Sequence, residues 1–216
     1  MKKGILVQGP ITKWTADIIK EYRDNFDDVE VLLSTWNNED VSEIGCKILQ
    51  IEPPEKTHPH QSSINLQIKG AQEGLKKINA DIILKTKTDQ FIHNNEIFSI
   101  FEDECKDYQI MTTDLNSWRD RDYRITDFCQ LATKKVLEEY WNNMPFYDGS
   151  YAIPPEVYLT KNYVVNFKKD NKPWNEIIDN YFCIKNYYKD FKIEFEKFVG
   201  DESKQEWFKK NMSVDE

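Results

Sequence analysis

Three consecutive aliphatics, Ile82-Ile83-Leu84, give way at once to Lys85-Thr86-Lys87-Thr88-Asp89, and few folds accommodate so sharp a change. An uninterrupted apolar run of this length marks a strand buried on both faces of a parallel sheet. Side chains two apart on a strand share a face, so Lys85, Lys87 and Asp89 form one polar row. Open α/β sheets bind ligands at the carboxyl ends of their strands, where this row lies. A carboxylate beside two ammonium groups suits a phosphate-bearing ligand, with or without a divalent metal. A self-neutralising surface row is the plainer reading of the same pattern.

The chain before this run repeats the theme. Gly4 to Val7 reads as a buried strand broken by Gln8-Gly9-Pro10, which serves equally as a bare turn. Thr12 can cap a helix carrying Trp14, Ile18, Ile19 and Tyr22 at helical spacing. Val29 to Ser34 is a second strand running into Thr35-Trp36, and Cys46 to Ile51 a third, stopped by Pro53-Pro54. His58-Pro59-His60 lies in a loop and has the look of a metal clip, although such a loop needs no metal. Ser63 caps an amphipathic helix through Asn65, Ile68, Ala71, Gly74, Leu75 and Ile78. The order β-α-β-β-α-β predicts an α/β fold with its polar loops on one edge. Gln8, Trp36, Asn65 and Asp89 are then expected to share a pocket. Neither GxGxxG nor GxxxxGK[ST] is present, so no dinucleotide fingerprint or P-loop is expected.

Beyond Asp89 the chain leaves the sheet. The spacing predicts a helix from about Asn95 to Cys105, a strand from Gln109 to Thr113, and a helix from Lys134 to Asn142. Pro154-Pro155-Glu156 introduces another helix through Asn162. Tyr181 to Phe198 reads as strand plus helix, and a charged helix is expected from Gly200. Three of the chain's four arginines fall between Arg119 and Arg124. Arginine suits phosphate or carboxylate, although here it alternates with aspartate and can simply pair with it.

At 216 residues, with 39 % apolar residues and 12 Phe, 11 Tyr and 6 Trp, the chain can bury a sizeable core in one domain. Its formal charge of −9 argues against nucleic acid as a partner. Cys46, Cys105, Cys129 and Cys183 are far apart and form no CxxC pair, so reduced thiols rather than a disulfide framework are expected. No segment is long and apolar enough to span a membrane. The expected location is cytoplasmic, with room for peripheral contact at the inner face of the membrane.

Six pieces in register resemble the WavE lipopolysaccharide-synthesis family: Ile5-Leu6-Val7-Gln8-Gly9-Pro10-Ile11, Leu33-Ser34-Thr35-Trp36, Asn65-Leu66-Gln67-Ile68, Lys85-Thr86-Lys87-Thr88-Asp89, Ile125-Thr126-Asp127-Phe128 and Pro154-Pro155-Glu156-Val157-Tyr158-Leu159. The resemblance implies a GT-A-like (Rossmann-related) glycosyltransferase in a single domain, with a mixed, mainly parallel sheet flanked by helices. Residues 1–93 would be the nucleotide-binding half and 94–216 the acceptor side. It implies a nucleotide-diphospho-sugar donor (UDP-linked favoured) and a surface-glycan acceptor of lipopolysaccharide or capsule type. Gln8, Gly9, Pro10, Thr35, Trp36, Asn65, Lys85, Lys87 and Asp89 become the expected donor-binding residues. Asp127 and Glu156 become the candidate catalytic carboxylates, Asp127 preferred. Such enzymes use a DxD pair to hold Mn2+ or Mg2+; here the first position is Lys87, which leaves Asp89 as the metal ligand, with His93 a further possibility, or leaves Lys85 or Lys87 to supply part of the positive charge directly. The rival readings are a non-catalytic sugar-nucleotide binder and a sugar nucleotidyltransferase, the latter disfavoured by the poor phosphate loop after the first strand.

Overall fold

The computed structural model describes residues 1–196. Four parallel strands form one half of the main sheet: β1 (Lys3–Gln8), β2 (Val29–Trp36), β3 (Lys47–Ile51) and β4 (Ile82–Lys87). Helices α1 (Thr15–Asn25) and α2 (Ile64–Lys77) cover opposite faces. The alternation along β1 divides its side chains between them. Leu6 packs with Leu32, Ile83, Ile68 and Leu75 on the α2 side. Ile5 and Val7 pack with Leu33, Leu84, Ile18 and Tyr22 on the α1 side. Burial on both faces is why the aliphatic runs are continuous.

The second half of the sheet differs in direction. Strand β5 (Gln90–Ile92) leaves the main sheet, and helix α3 (Ile97–Glu104) leads to β6 (Ile110–Thr113). Strand β7 (Gln130–Thr133) then inserts antiparallel between β4 and β6. Helices α4 (Lys134–Asn142), α5 (Pro155–Lys161) and α6 (Trp174–Tyr181) follow, with a π-helical turn over Asn162–Phe167. Strand β8 (Phe182–Lys185) pairs in parallel with β6 at the edge. The sheet order is β3-β2-β1-β4-β7-β6-β8, and β9 (Ile193–Phe195) pairs with β5 in a separate two-stranded ribbon. This is the expected single-domain, mixed, mainly parallel sheet.

Strand β7 has no counterpart in the sequence reading. Four residues, Gln-Leu-Ala-Thr, carry too little alternation to declare a strand; their place between β4 and β6 makes them one. The strand has a direct consequence for function. Antiparallel pairing of Lys85 with Gln130 brings the residues just before β7, Asp127 among them, to the carboxyl end of β4.

Other local details also depart from expectation. Ser63 sits at the N-cap of α2, yet its hydroxyl does not cap; the Ile64 amide instead donates to Ser62 Oγ at 3.3 Å. The segment read as strand plus helix resolves into α6, β8, a π-helical turn over Tyr187–Phe191 and β9. The helix expected from Gly200 lies outside the described residues. Cys105 and Cys183 are joined in a disulfide with Cα atoms 5.8 Å apart, which corrects the expectation of reduced thiols for this pair. Their separation of 78 residues gave no spacing signal, and the β6–β8 pairing is what brings them together. Among the described residues no helix is long and apolar enough to cross a membrane.

Helix α2 lies unusually close to β1. A Cβ on Gly74 would sit 2.5 Å from Leu6 Cδ1, and one on Gly70 would sit 2.5 Å from Gln8 Nε2. The missing side chains let the Gln8 amide reach the carbonyls of Leu66 (3.1 Å) and Gln67 (2.8 Å). The end of β1 is thereby tied to the first turn of α2.

Candidate functional site

A cleft of about 190 Å³ opens at the carboxyl ends of β1, β2 and β4. Its walls come from Gln8, Gly9 and Pro10 after β1, Trp36 at the end of β2, and Ser63, Leu66 and Gln67 at the start of α2. Lys85, Lys87, Thr88 and Asp89 form its floor, and Thr12 closes one side. Gly9 has φ +137°, and a Cβ there would meet Thr88 Oγ1 at 2.8 Å. Only glycine meets both demands without strain. The hydroxyls of Thr12 and Thr15 donate to the Thr88 carbonyl at 3.3 and 3.1 Å, so the first loop and the turn after β4 are bound together. The cleft is therefore held by backbone and short side chains rather than by long flexible ones.

The polar row on β4 is present but is no surface row. Lys85 is 1 % exposed. Its Nζ lies 4.6 Å from the centre of the Trp141 ring, and among the described residues it has no hydrogen-bond or carboxylate partner. Burial, reinforced by the neighbouring Lys87 ammonium, lowers its pKa to about 7, while Asp127 pulls weakly the other way. Trp141 is fixed in turn by donating its indole N–H to Gln130 Oε1 at 2.8 Å. A buried ammonium facing a cleft with only an aromatic ring for company is costly. An anionic ligand would relieve that cost.

Lys87 is paired. Its Nζ lies 3.2 Å from Asp127 Oδ1, and it also stands 5.0 Å from the Phe128 ring centre. The second carboxylate oxygen of Asp127 accepts a hydrogen bond from Gln67 Nε2. Burial favours the neutral acid at Asp127, but Lys87, the Gln67 bond and Lys85 outweigh it and hold the pKa below the ordinary value. Asp127 therefore stays ionised. Gln67, which touches both the cleft and Asp127, was not singled out among the expected site residues. It stood within the quoted Asn65-Leu66-Gln67-Ile68 piece, and helical phase alone could not show that it faces β7.

Other expected residues lie elsewhere. Asn65 turns away and clasps the Tyr147 backbone, donating from Nδ2 to its carbonyl (2.9 Å) and accepting from its amide at Oδ1 (2.7 Å). Thr35 is fully buried within β2 and does not line the cleft. Glu156 is buried beside Arg124 Nη2 (2.9 Å) and Asn116 Nδ2 (3.1 Å). Arg119 makes a two-pronged pair with Asp179, and Arg121 stacks over Trp118. Arg119 and Arg124 thus pair with carboxylates distant in sequence rather than with their neighbouring aspartates. His93 is held between Glu21 (2.6 Å) and Glu194 (3.2 Å), outside the cleft.

The Arg124–Glu156 pair yields a stability prediction. Arg124→Met leaves the buried Glu156 carboxylate without its cation, and breaking such a pair costs about 3–5 kcal/mol. Urea unfolding would show the loss as a lower midpoint; a change under about 0.5 kcal/mol would mean that Asn116 suffices as partner.

The donor set does not fit a divalent ion held by the protein. Asp89 is the carboxylate lining the cleft, and it stands with two ammonium groups. Among the described residues no group of three His, Cys, Asp or Glu side chains is placed to hold a metal. A hard cation wants several oxygen ligands, and the Lys85 and Lys87 ammonium groups would repel it.

Comparison with known proteins agrees with this architecture. The family model described as WavE lipopolysaccharide synthesis matches residues 4–212. The S. aureus TarS structure superposes with a TM-score of 0.54 at 12 % identity, covering 86 % of this chain but 35 % of TarS. Glucosyl-3-phosphoglycerate synthase from Mycobacterium tuberculosis, crystallised with Mn2+, UDP and glucosyl-3-phosphoglycerate, gives 0.51 at 11 % identity, covering 86 % of this chain and 70 % of that one. A glycosyltransferase involved in glycosylation of the PBCV-1 major capsid gives 0.50 at 14 % identity, covering 87 % and 83 %. At such identities the likeness is one of fold, the GT-A fold. The chain spans about a third of TarS. No curated protein matches the sequence.

Proposed function

The chain belongs to the WavE lipopolysaccharide-synthesis family, and on that premise we propose that it is a nucleotide-sugar-dependent glycosyltransferase acting on a surface-glycan acceptor of lipopolysaccharide or capsule type. The observation that carries this reading is the buried Lys85 ammonium, without a hydrogen-bond or carboxylate partner among the described residues, in a cleft at the strand ends beside Lys87 and Asp89. A diphosphate is the chemistry that such a floor favours. Trp36 and the Gln8-Gly9-Pro10 turn offer a wall for the nucleoside, uridine favoured. Gln8 Oε1 is buried there with no hydrogen-bond partner among the described residues. Thr35 and Asn65 act in this reading as supports behind that wall, not as contacts.

The reaction replaces the bond between the anomeric carbon and the diphosphate by one to an acceptor oxygen. In an inverting transfer a carboxylate takes the acceptor's proton. Asp127 is ionised and adjoins Lys87 at the cleft floor, whereas the Glu156 carboxylate is committed to Arg124. Asp127 is therefore the base in this reading. A cytoplasmic location at the inner face of the membrane belongs to the same reading. The Cys105–Cys183 bond stands against it, since disulfides are rare in reducing compartments.

Thermal shift with UDP-, GDP-, CDP- and TDP-sugars tests the reading. One nucleotide family is expected to raise Tm, since ligand at about 100 times Kd stabilises by roughly 2.7 kcal/mol. No shift with any donor would overturn the reading. That Asp127 already has both oxygens bonded favours one rival, a binder without catalysis. Release of free sugar from the stabilising donor, in the absence of acceptor, separates the enzyme from the binder.

A further inference from the structure

We infer that Lys85 and Lys87 take the place of a divalent cation in this cleft, holding the donor diphosphate and neutralising the leaving group with ammonium charge alone. The inference rests on the transferase reading and concerns how the same site works. Three observations lead to it. First, Lys85 and Lys87 project from one face of β4 into the cleft, next to its carboxyl end, where the Asp89 carboxylate follows two residues on. Second, Lys85 is buried against Trp141 without a hydrogen-bonding or carboxylate partner among the described residues. Burying an ammonium group is costly unless an acceptor or an anion meets it, and among the described residues only the Trp141 ring does. Third, among the described residues the carboxylates that would hold a metal are lacking, because Asp89 lines the cleft without a second carboxylate and Asp127 is occupied by Lys87 and Gln67.

The charge balance is that of the transfer itself. The bond from the anomeric carbon to the diphosphate oxygen breaks, and its electron pair stays on that oxygen. The acceptor oxygen bonds to the anomeric carbon and its proton passes to Asp127. The nucleoside diphosphate leaves with one more negative charge than it carried in the sugar ester. Two ammonium groups on the cleft floor stabilise that developing charge in the manner of an oxyanion hole. Lys87 must turn from Asp127 toward the phosphates as the donor enters. The carboxylate, freed of its cation, then becomes a better proton acceptor. The donor thus prepares the base, and an ordered mechanism with donor first follows.

Calorimetric titration with UDP tests this, using wild-type protein, Lys85→Met and Lys87→Asp, each in EDTA and in Mn2+. Wild type is expected to bind UDP in EDTA with a Kd within about threefold of that in Mn2+, a free-energy difference too small to signal a metal ligand. Lys85→Met should weaken binding at least about tenfold in both conditions. Lys87→Asp, which sets a second carboxylate two residues from Asp89, should lose binding in EDTA and regain it in Mn2+. Binding by wild type that needs Mn2+ and is untouched by Lys85→Met would overturn the inference and leave the transferase reading standing. Should UDP, GDP, CDP and TDP all fail to bind wild type in either condition, the transferase reading itself falls and the inference with it. Circular dichroism and Tm establish that each variant is folded.

Discussion

Lys85→Met is expected to raise the melting temperature and, in the same molecule, to weaken binding of nucleoside diphosphate at least about tenfold. The two effects share one cause. Lys85 is 1 % exposed, and its pKa is brought from the ordinary 10.5 to about 7, chiefly by burial. Over that interval the folded protein binds fewer protons than the unfolded chain, so stability must rise with pH between about 7 and 10.5. Below about pH 7 the penalty is complete, and the displacement corresponds to roughly 5 kcal/mol. The groups that set it are Lys87 on the same strand, Asp127 and Cys129 ahead of β7, and the Trp141 ring from α4. Methionine keeps the length and packs against Trp141 without the charge. Exchanging buried ionic groups for apolar ones commonly gains about 1–4 kcal/mol, so a gain of that size is expected at neutral pH. The stability of the variant should also lose its rise between pH 7 and 10. A lower Tm with unchanged UDP binding would show that Lys85 is a structural group and no part of a phosphate site. Stability set against function is the usual mark of an active-site charge.

Asp127→Asn is expected to lower kcat by about 10²–10⁴, the range for a general base, while the Kd for donor is unchanged or improves. The split follows from the contacts. The carboxylate restrains Lys87 at 3.2 Å, and its removal releases that ammonium for the diphosphate. Gln67 retains an oxygen of the asparagine as an acceptor, so the wall of the cleft should persist. Steady-state kinetics with donor and acceptor varied separately would show kcat falling at constant or lower donor KM. A fall in kcat below about threefold would assign Asp127 the lesser role of a clasp on Lys87. Asp127→Glu is a useful companion, because a restored carboxylate in imperfect position should recover part of the rate.

Much of this was readable from local pattern. The aliphatic runs of β1, β2 and β4 declare buried parallel strands because a strand covered on both faces has no need of alternation. The two-residue period then places Lys85, Lys87 and Asp89 together, and the parallel order puts Gln8 and Trp36 at the same edge. Each of those inferences needs only neighbours in sequence and the geometry of an extended chain. What the pattern could not show is how buried the row is. That depends on Trp141 arriving from α4, 56 residues after Lys85, and on Gln130 holding the indole in place.

The same limit explains the other surprises. Asp127 comes against Lys87 and Gln67, two residues of the cleft wall, because β7 runs antiparallel to β4, a pairing that its four residues do not announce. Asn65 was expected in the pocket from its place at the start of α2, but the Tyr147 backbone claims both ends of its amide. Glu156 looked free to act as a base until Arg124, 32 residues before it, proved to be its partner. The Cys105–Cys183 bond required β6 and β8 to be neighbours. The sequence by itself determined the strands, their polar ends and the kinds of charge gathered there, since these follow from periodicity over a few residues. Only the tertiary structure decided which charges are paired, which is buried alone, and which carboxylate stands beside the cleft. Those outcomes depend on desolvation and on contacts between residues far apart in the chain, and no local period encodes them.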